Sequence, residues 1–259
     1  MACSGAESLS KDVLQLANEV TGALRADPND HHDSLTSKQQ FAFSELGTAC
    51  LSHVLDDPNG AGLLAKLGPN ENAYSLTLAE LDGVLLRIHF YTAEGALQVD
   101  PNSMKDGVDV KTFGTPHTHR GHISSVVPIG HLVHYCFGET EGTDYIAGSL
   151  HYEEAAGFPG NYRRTVITPR RQTGLEYLGA SAFNDGNGYL MNKRTIHVVS
   201  WAEPTVTVFL SDFADPQTTT VYQAANGQNE VERPRQLLAP AERQRVWDSF
   251  RQVVRNGLR

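Results

Sequence analysis

Residues 114–138 read GTPHTHRGHISSVVPIGHLVHYCFG, and His117, His119, His122, His131 and His134 all fall within them. Side chains two apart on a β-strand share a face, so His117 and His119 can present two imidazoles to one ion. The apolar run after them predicts a strand that ends in a turn bounded by glycine at Pro128-Ile129-Gly130, with a second strand starting at His131. His122 is three residues beyond His119 and on a regular strand points to the opposite face. The reading taken for it is an outward or loop position, with a fourth ligand or a proton donor beside the ligands as the alternative. Leu132, His134 and Cys136 alternate together, which offers them as a set to an interior face.

A second stretch, residues 194–213, reads RTIHVVSWAEPTVTVFLSDF and carries His197 in a β-rich run. The two stretches together resemble the motifs of the cupin superfamily. The first of these has the form G-x5-H-x-H-x3,4-E-x6-G. His117, His119 and the closing Gly130 match it; Lys111 stands at its leading glycine, and Ile123 or Ser124 at its glutamate. His197 stands where the second motif carries its lone histidine. The Pro-x-His-x-His entry and the Ile-His-x-Val run followed by Glu203-Pro204 are most similar to the cysteine-dioxygenase-type branch. The resemblance covers roughly residues 70–215.

That resemblance implies an all-β double-stranded β-helix barrel and an iron(II) site of His117, His119 and His197 with no carboxylate ligand. It implies an oxygenase acting with O2 on a small molecule, with zinc, nickel or manganese as alternative metals. Cupins often form dimers, so a homodimer is an open option that no residue here decides. The departures from the branch matter. Its Ser-x-His-x-Tyr strand after the third histidine is replaced by Thr207, Phe209 and Ser211, and its crosslinking cysteine falls near Ser124. These losses argue against cysteine as substrate. The arginine expected before the His-x-His pair has Arg87 as its nearest counterpart, which suggests a carboxylate-bearing substrate anchored by a guanidinium fork.

Composition bounds the rest. A net charge of −9, with no basic cluster beyond Arg163-Arg164 and Arg170-Arg171, argues against nucleic acid as a partner. No apolar run approaches the ~18–20 residues of a membrane span, and MACSGAESLSKD lacks the basic start and apolar centre of a signal peptide. Three scattered cysteines, Cys3, Cys50 and Cys136, make no disulfide framework. The expectation is a cytoplasmic chain with neither membrane nor nucleic-acid partner.

Along the chain, residues 1–70 predict a helical layer packed on the barrel. One helix starts at Ser10 with Val13, Leu16, Val20 and Leu24 inward. A second runs from about Ser37 to Leu55 with Phe41, Leu46, Cys50, Leu51 and Val54 inward, and a short piece follows around 63–67. His31 and His32 read as solvated. Residues 71–240 predict the barrel, and 241–259 a closing amphipathic helix with Val246, Phe250 and Val253 or Val254 inward. Two alternating strands begin at Tyr74 and after Asp82-Gly83. On the second, Leu86, Ile88 and Phe90 share one face, while Leu85, Arg87, His89 and Tyr91 share the other. The half-polar face reads first as solvent-facing, with a ligand cavity as the alternative. Residues 93–113 read as a long loop beside the metal strand. Further strands are expected at 131–139, 144–154, 162–174 and 175–183, with turns at 139–142 and 184–190 and irregular chain over 214–240.

Three imidazoles leave coordination positions open, where a closed structural zinc site would have four ligands. His89 and His134 are the candidates to stand behind the ligands, fixing a tautomer or holding a substrate group. His53 and His151 carry no motif and read as structural.

Overall fold

The computed structural model describes residues 11–26, 37–56, 61–70, 73–81, 83–93, 115–154, 162–212, 219–225, 232–234 and 238–258. His31, His32, Cys3, most of the 93–113 loop and the side chains of His151, Arg163, Arg164 and Arg170 lie outside the described set.

Helices α1 (Lys11–Ala26), α2 (Ser37–Asp56) and α3 (Ala61–Lys66) precede the strands, and α4 (Pro240–Gly257) closes the chain. Between them lie β1 (Leu67–Asn70), β2 (Ala73–Leu81), β3 (Val84–Tyr91), β4 (Ile123–Ile129), β5 (Leu132–Glu154), β6 (Tyr162–Phe183), β7 (Asn187–Met191), β8 (Ile196–Ser200), β9 (Thr205–Asp212), β10 (Thr219–Ala224) and β11 (Glu232–Pro234). They form two antiparallel sheets. One has the order β1-β2-β3-β9-β4-β7, and the other β10-β5-β6-β11 with β8 paired to β5. The sheets face each other as two halves of a barrel. Its interior joins Tyr91, Val127, Met191 and Phe209 of the first sheet to Leu132, Phe183 and Val199 of the second. This is the cupin-type barrel expected from the sequence. No helix among the described residues is long and apolar enough to cross a membrane.

The helices cover the outer face of the first sheet. Val20 of α1, Phe43 and Leu51 of α2 and Phe250 of α4 pack on Leu86, Ile88 and Phe90 of β3 and on Val206, Val208 and Leu210 of β9. Burying each such large side chain stabilises by about 1.5–3 kcal/mol. Phe41 does not join them. It is 68% exposed, because the buried stripe of α2 runs through Phe43, Leu46 and Cys50 instead. Gln40 ties α2 to β7: its amide donates to Gly186 O and accepts from Gly188 N–H, and so covers backbone groups near a sheet edge.

This layer reverses the first reading of β3. Its apolar face points out to the helices, so the half-polar face points in. Leu85, Arg87 and Tyr91 are buried and His89 is half-buried. The face is the interior alternative, not the solvent one.

Four further expectations change. No turn interrupts 139–142, and no break falls at 174/175. The β5–β6 ladder runs through both, with register shifts at Cys136/Phe137, Thr140/Tyr145, Ala147/Gly148 and Glu153/Glu154; bulges of this kind bend a strand without ending it. Gly142, read as part of a turn, serves close approach instead, since a Cβ on it would lie 2.9 Å from Gly174 Cα. The supposedly irregular 214–240 holds β10 and β11. The predicted turn at 184–190 shrinks, and β7 starts at Asn187. The turn after β4 falls at Gly130 as expected, with φ +88°.

Candidate metal centre

His117 and His119 sit on a short clamped segment between β8 and β10. One antiparallel rung joins His117 to His197: His117 N–H donates to His197 O at 3.1 Å, and His197 N–H to His117 O at 3.0 Å. A second bridge joins His117 to Val221. Tyr222 N–H donates to Pro116 O, Thr118 N–H to Thr220 O and His119 N–H to Lys193 O, at 2.9–3.0 Å. The Thr118 hydroxyl accepts from Thr220 N–H at 2.9 Å. Pro116 has no N–H to satisfy. The two ligand stretches picked out in the sequence are therefore direct backbone neighbours.

One nitrogen from each of His117, His119 and His197 lies within 4.8 Å of the others. His119 Nε2 and His197 Nε2 are 3.3 Å apart, and the three ring centroids are separated by 4.8–5.1 Å. Among the described residues this is the one cluster of three or more metal-ligating side chains, and it contains no carboxylate.

The tautomers follow from the backbone. His117 Nδ1 lies 2.9 Å from Thr115 O and His197 Nδ1 lies 3.5 Å from Thr195 O. A carbonyl only accepts, so each Nδ1 carries the hydrogen and each Nε2 keeps its lone pair. Such carbonyl support is what orients a ligating imidazole. The 3.3 Å approach of His119 Nε2 and His197 Nε2 then needs a cation to which both point, or a proton shared between them. Burial holds His119 and His197 well below the usual imidazole pKa. Neighbouring imidazoles add to the shift: His117, His134 and His89 for His119, and His117, His119 and His134 for His197. Both rings are kept neutral, the state in which imidazole binds metal. The donor set therefore fits a divalent transition metal.

His134 is buried behind the cluster, its ring 5.1 Å from that of His197 and edge-on to Tyr189 at 4.7 Å and Phe183 at 5.5 Å. His89 stacks on Phe209 at 4.9 Å and is one of the neighbouring imidazoles that disfavour a charge on His119. Arg87 is buried and shares the interior face with His89. His122 is half-buried and stays outside the cluster. His131 donates its backbone N–H to Thr205 Oγ1 at the Gly130 turn. Cys136 sits opposite His197 in the β5–β8 register. Burial pushes its thiol up to about 11, which keeps it protonated at neutral pH. Two residues were not picked out from the sequence. Tyr91 bonds Thr207, and burial pushes its phenol up; Tyr189 bonds Ser125 and is pushed by burial up to about 12. Tyr91 was signalled by its alternation with Arg87 and His89. Tyr189 was hidden in a stretch read as turn.

No protein-family model and no curated protein matches this chain. Solved structures to which parts of this chain are loosely similar include hydroquinone 1,2-dioxygenase PnpCD in complex with Cd2+ and 4-hydroxybenzonitrile. It is 10% identical over 52% of this chain and 61% of that one, with TM-score 0.28. A cupin superfamily protein from Desulfitobacterium hafniense is 9% identical over 57% of this chain and 85% of that one, with TM-score 0.24. Procruciferin, the 11S globulin of Brassica napus, is 11% identical over 65% of this chain and 34% of that one, with TM-score 0.29. Likenesses this loose carry no argument about the chain, and the fold class stands on the sheet topology and the shared interior. The chain is a cupin-type β-barrel with a three-histidine cluster inside it.

Proposed function

We propose that His117, His119 and His197 hold a divalent metal, iron(II) first, and that the chain is a non-heme oxygenase for a small carboxylate-bearing molecule. The observation that carries this reading is the convergence of three imidazoles with no carboxylate among them. A bound iron(II) would supply open positions and redox chemistry with O2, whereas zinc, nickel or manganese would supply Lewis acidity. Neutral ligands leave the ion's double charge uncompensated, which draws an anionic substrate inward. Arg87, on the interior face of β3, is the candidate to hold the carboxylate through its guanidinium fork. His89 and His134 flank the ligands and are placed to orient a substrate group or to move a proton at an imidazole nitrogen. Tyr91, Trp201 and Phe209 line the apolar side of the interior and exclude water from it.

Elemental analysis of protein purified from metal-supplemented medium, joined to O2 uptake with a panel of small carboxylates, tests this. Stoichiometric iron and substrate-dependent uptake are expected. Stoichiometric zinc or nickel without uptake would support a redox-inactive lyase or isomerase instead. No bound metal would make the barrel a non-catalytic small-molecule binder.

A further inference from the structure

Of the three candidate ligands, His117 and His197 both set Nδ1 against a backbone carbonyl, but not equally. The His117 contact is 2.9 Å and the His197 contact 3.5 Å. The longer one is at the outer limit of a hydrogen bond, so Thr195 O alone does not fix the His197 ring. Packing has to supply the rest. Among the described residues, three aromatic rings lie against His197. His117 and His119 belong to the cluster itself. The third is His134, with its ring centre 5.1 Å away.

His134 is in turn held from across the barrel. Its ring meets Tyr189 at 4.7 Å and Phe183 at 5.5 Å, both T-shaped, an arrangement that aromatic rings favour. Phe183 and Tyr189 also pack on each other at 4.5 Å. His134 belongs to β5, Phe183 to β6 and Tyr189 to β7, so these rings join the two sheets. Tyr189 is fixed at both ends. Its backbone pairs with Ser125 of β4, and its phenol bonds the Ser125 side chain. Ser125 Oγ gives its one hydrogen to Val208 O at 3.2 Å, so the phenol is the donor to Ser125 Oγ. Ser125, Tyr189, His134 and His197 are all buried.

We propose that Tyr189 is a positioning residue for His197. Anchored on Ser125, its ring holds His134 against His197 and so fixes where His197 Nε2 points. The inference deepens the metal reading and rests on it for its use, while the ring geometry stands without an ion.

The test uses the full chain, isotope-labelled on its histidine nitrogens, stripped of metal by a chelator and dialysed at neutral pH. Long-range proton–nitrogen correlation NMR reads the tautomer of each ring, and His197→Gln assigns the His197 signals. The wild type should show His197 in one tautomer, with its hydrogen on Nδ1. Tyr189→Leu should add the second tautomer. Tyr189→Phe keeps the ring and loses its anchor, and should add a smaller fraction of it. Cobalt(II), titrated against a chelator and followed by visible absorption, is the second readout. Tyr189→Leu should weaken its binding by roughly tenfold or more, the scale of a lost outer partner, and should change the band shape. Met191→Ala opens space on the same strand and in the same interior cluster, and should leave both signals as in the wild type whatever it does to stability. A wild type that binds no cobalt would fail the metal reading, and the tautomers of the metal-free chain would still decide this one. A single His197 tautomer in both Tyr189 variants, or a disturbance from Met191→Ala as large as that from Tyr189→Leu, would overturn the proposal.

Discussion

The neutral state of the buried imidazoles can be read out as stability against pH. His197 is 3% exposed, and burial is the leading cause that depresses both His197 and His119. In the unfolded chain each would titrate at about 6.5. Above that pH both states are neutral and the pair contributes no pH dependence. As pH falls below it, the unfolded chain takes up protons that the folded, metal-free chain refuses, so stability drops. The loss stops growing only below the depressed folded pKa values. For one such histidine the linkage gives about 1.4 kcal/mol lost by about pH 5.5, and for two about 2.8 kcal/mol. In a domain of this size that is a fall in Tm of roughly 6–11 °C. Other groups titrate too, so the quantity to measure is a difference. Tm of the metal-stripped chain would be taken at pH 7.5 and 5.5, alongside that of the double variant His119→Gln and His197→Gln. The wild type should lose more between the two pH values by about the amount derived. Equal losses in both proteins would refute the claim that these rings are held neutral.

Other consequences follow from the same geometry. His117→Ala, His119→Ala and His197→Ala should each lower metal affinity by more than the roughly 10–100-fold that loss of an outer hydrogen-bond partner costs, with circular dichroism unchanged; full occupancy in His197→Ala, read by elemental analysis, would remove it from the ligand set. Metal affinity, measured by competition with a chelator and corrected for the chelator's protonation, should fall below about pH 6 with more than one proton taken up per ion released; a flat profile would rule out an all-histidine site. Gly130→Ala should destabilise by about 2–4 kcal/mol in a urea melt, because φ there is +88° and the new Cβ would meet Pro204 O at 2.8 Å and Thr205 Cα at 2.9 Å.

The parts of the site that were legible are those with short-range signals. The spacing of His117 and His119, the glycine at 130 and the β-rich run around His197 are each local, and the structure brings the three histidines together across two backbone hydrogen bonds. The amphipathic stripe of α4 is equally local, and Val246, Phe250 and Val254 are buried as its period requires. What depends on distant partners was not legible. Gly142 and Gly174 look like turn residues in isolation, and only their mutual approach explains them. β10 is made by pairing Thr219–Ala224 with the far half of β5, a contact no local pattern in a Gln- and Asn-rich stretch announces. Tyr189 was missed for the same reason: β7 exists because β4 pairs with it.

The inversion of β3 is where fold and site meet. Alternation separates the two faces of a strand but does not say which one is inside; the position of the neighbouring layer decides it. Here α1, α2 and α4 need an apolar surface to pack on, and the outer faces of β3 and β9 provide it through Leu86, Ile88, Phe90, Val206, Val208 and Leu210. The interior is then free to hold polar groups. Register makes the consequence specific, because His89 lies opposite Thr207 and Arg87 opposite Phe209. Directly paired residues share a face, so these four form one interior patch. The strand after the third histidine lacks the His and Tyr of the thiol-dioxygenase pattern, yet His89 and Tyr91 enter the same patch from the adjacent strand, with Tyr91 bonded to Thr207. The polar groups around the candidate site thus come from a different strand than the motif comparison assigns them to. Arg87, His89 and Tyr91 thus stand along one edge of that patch, spaced two residues apart.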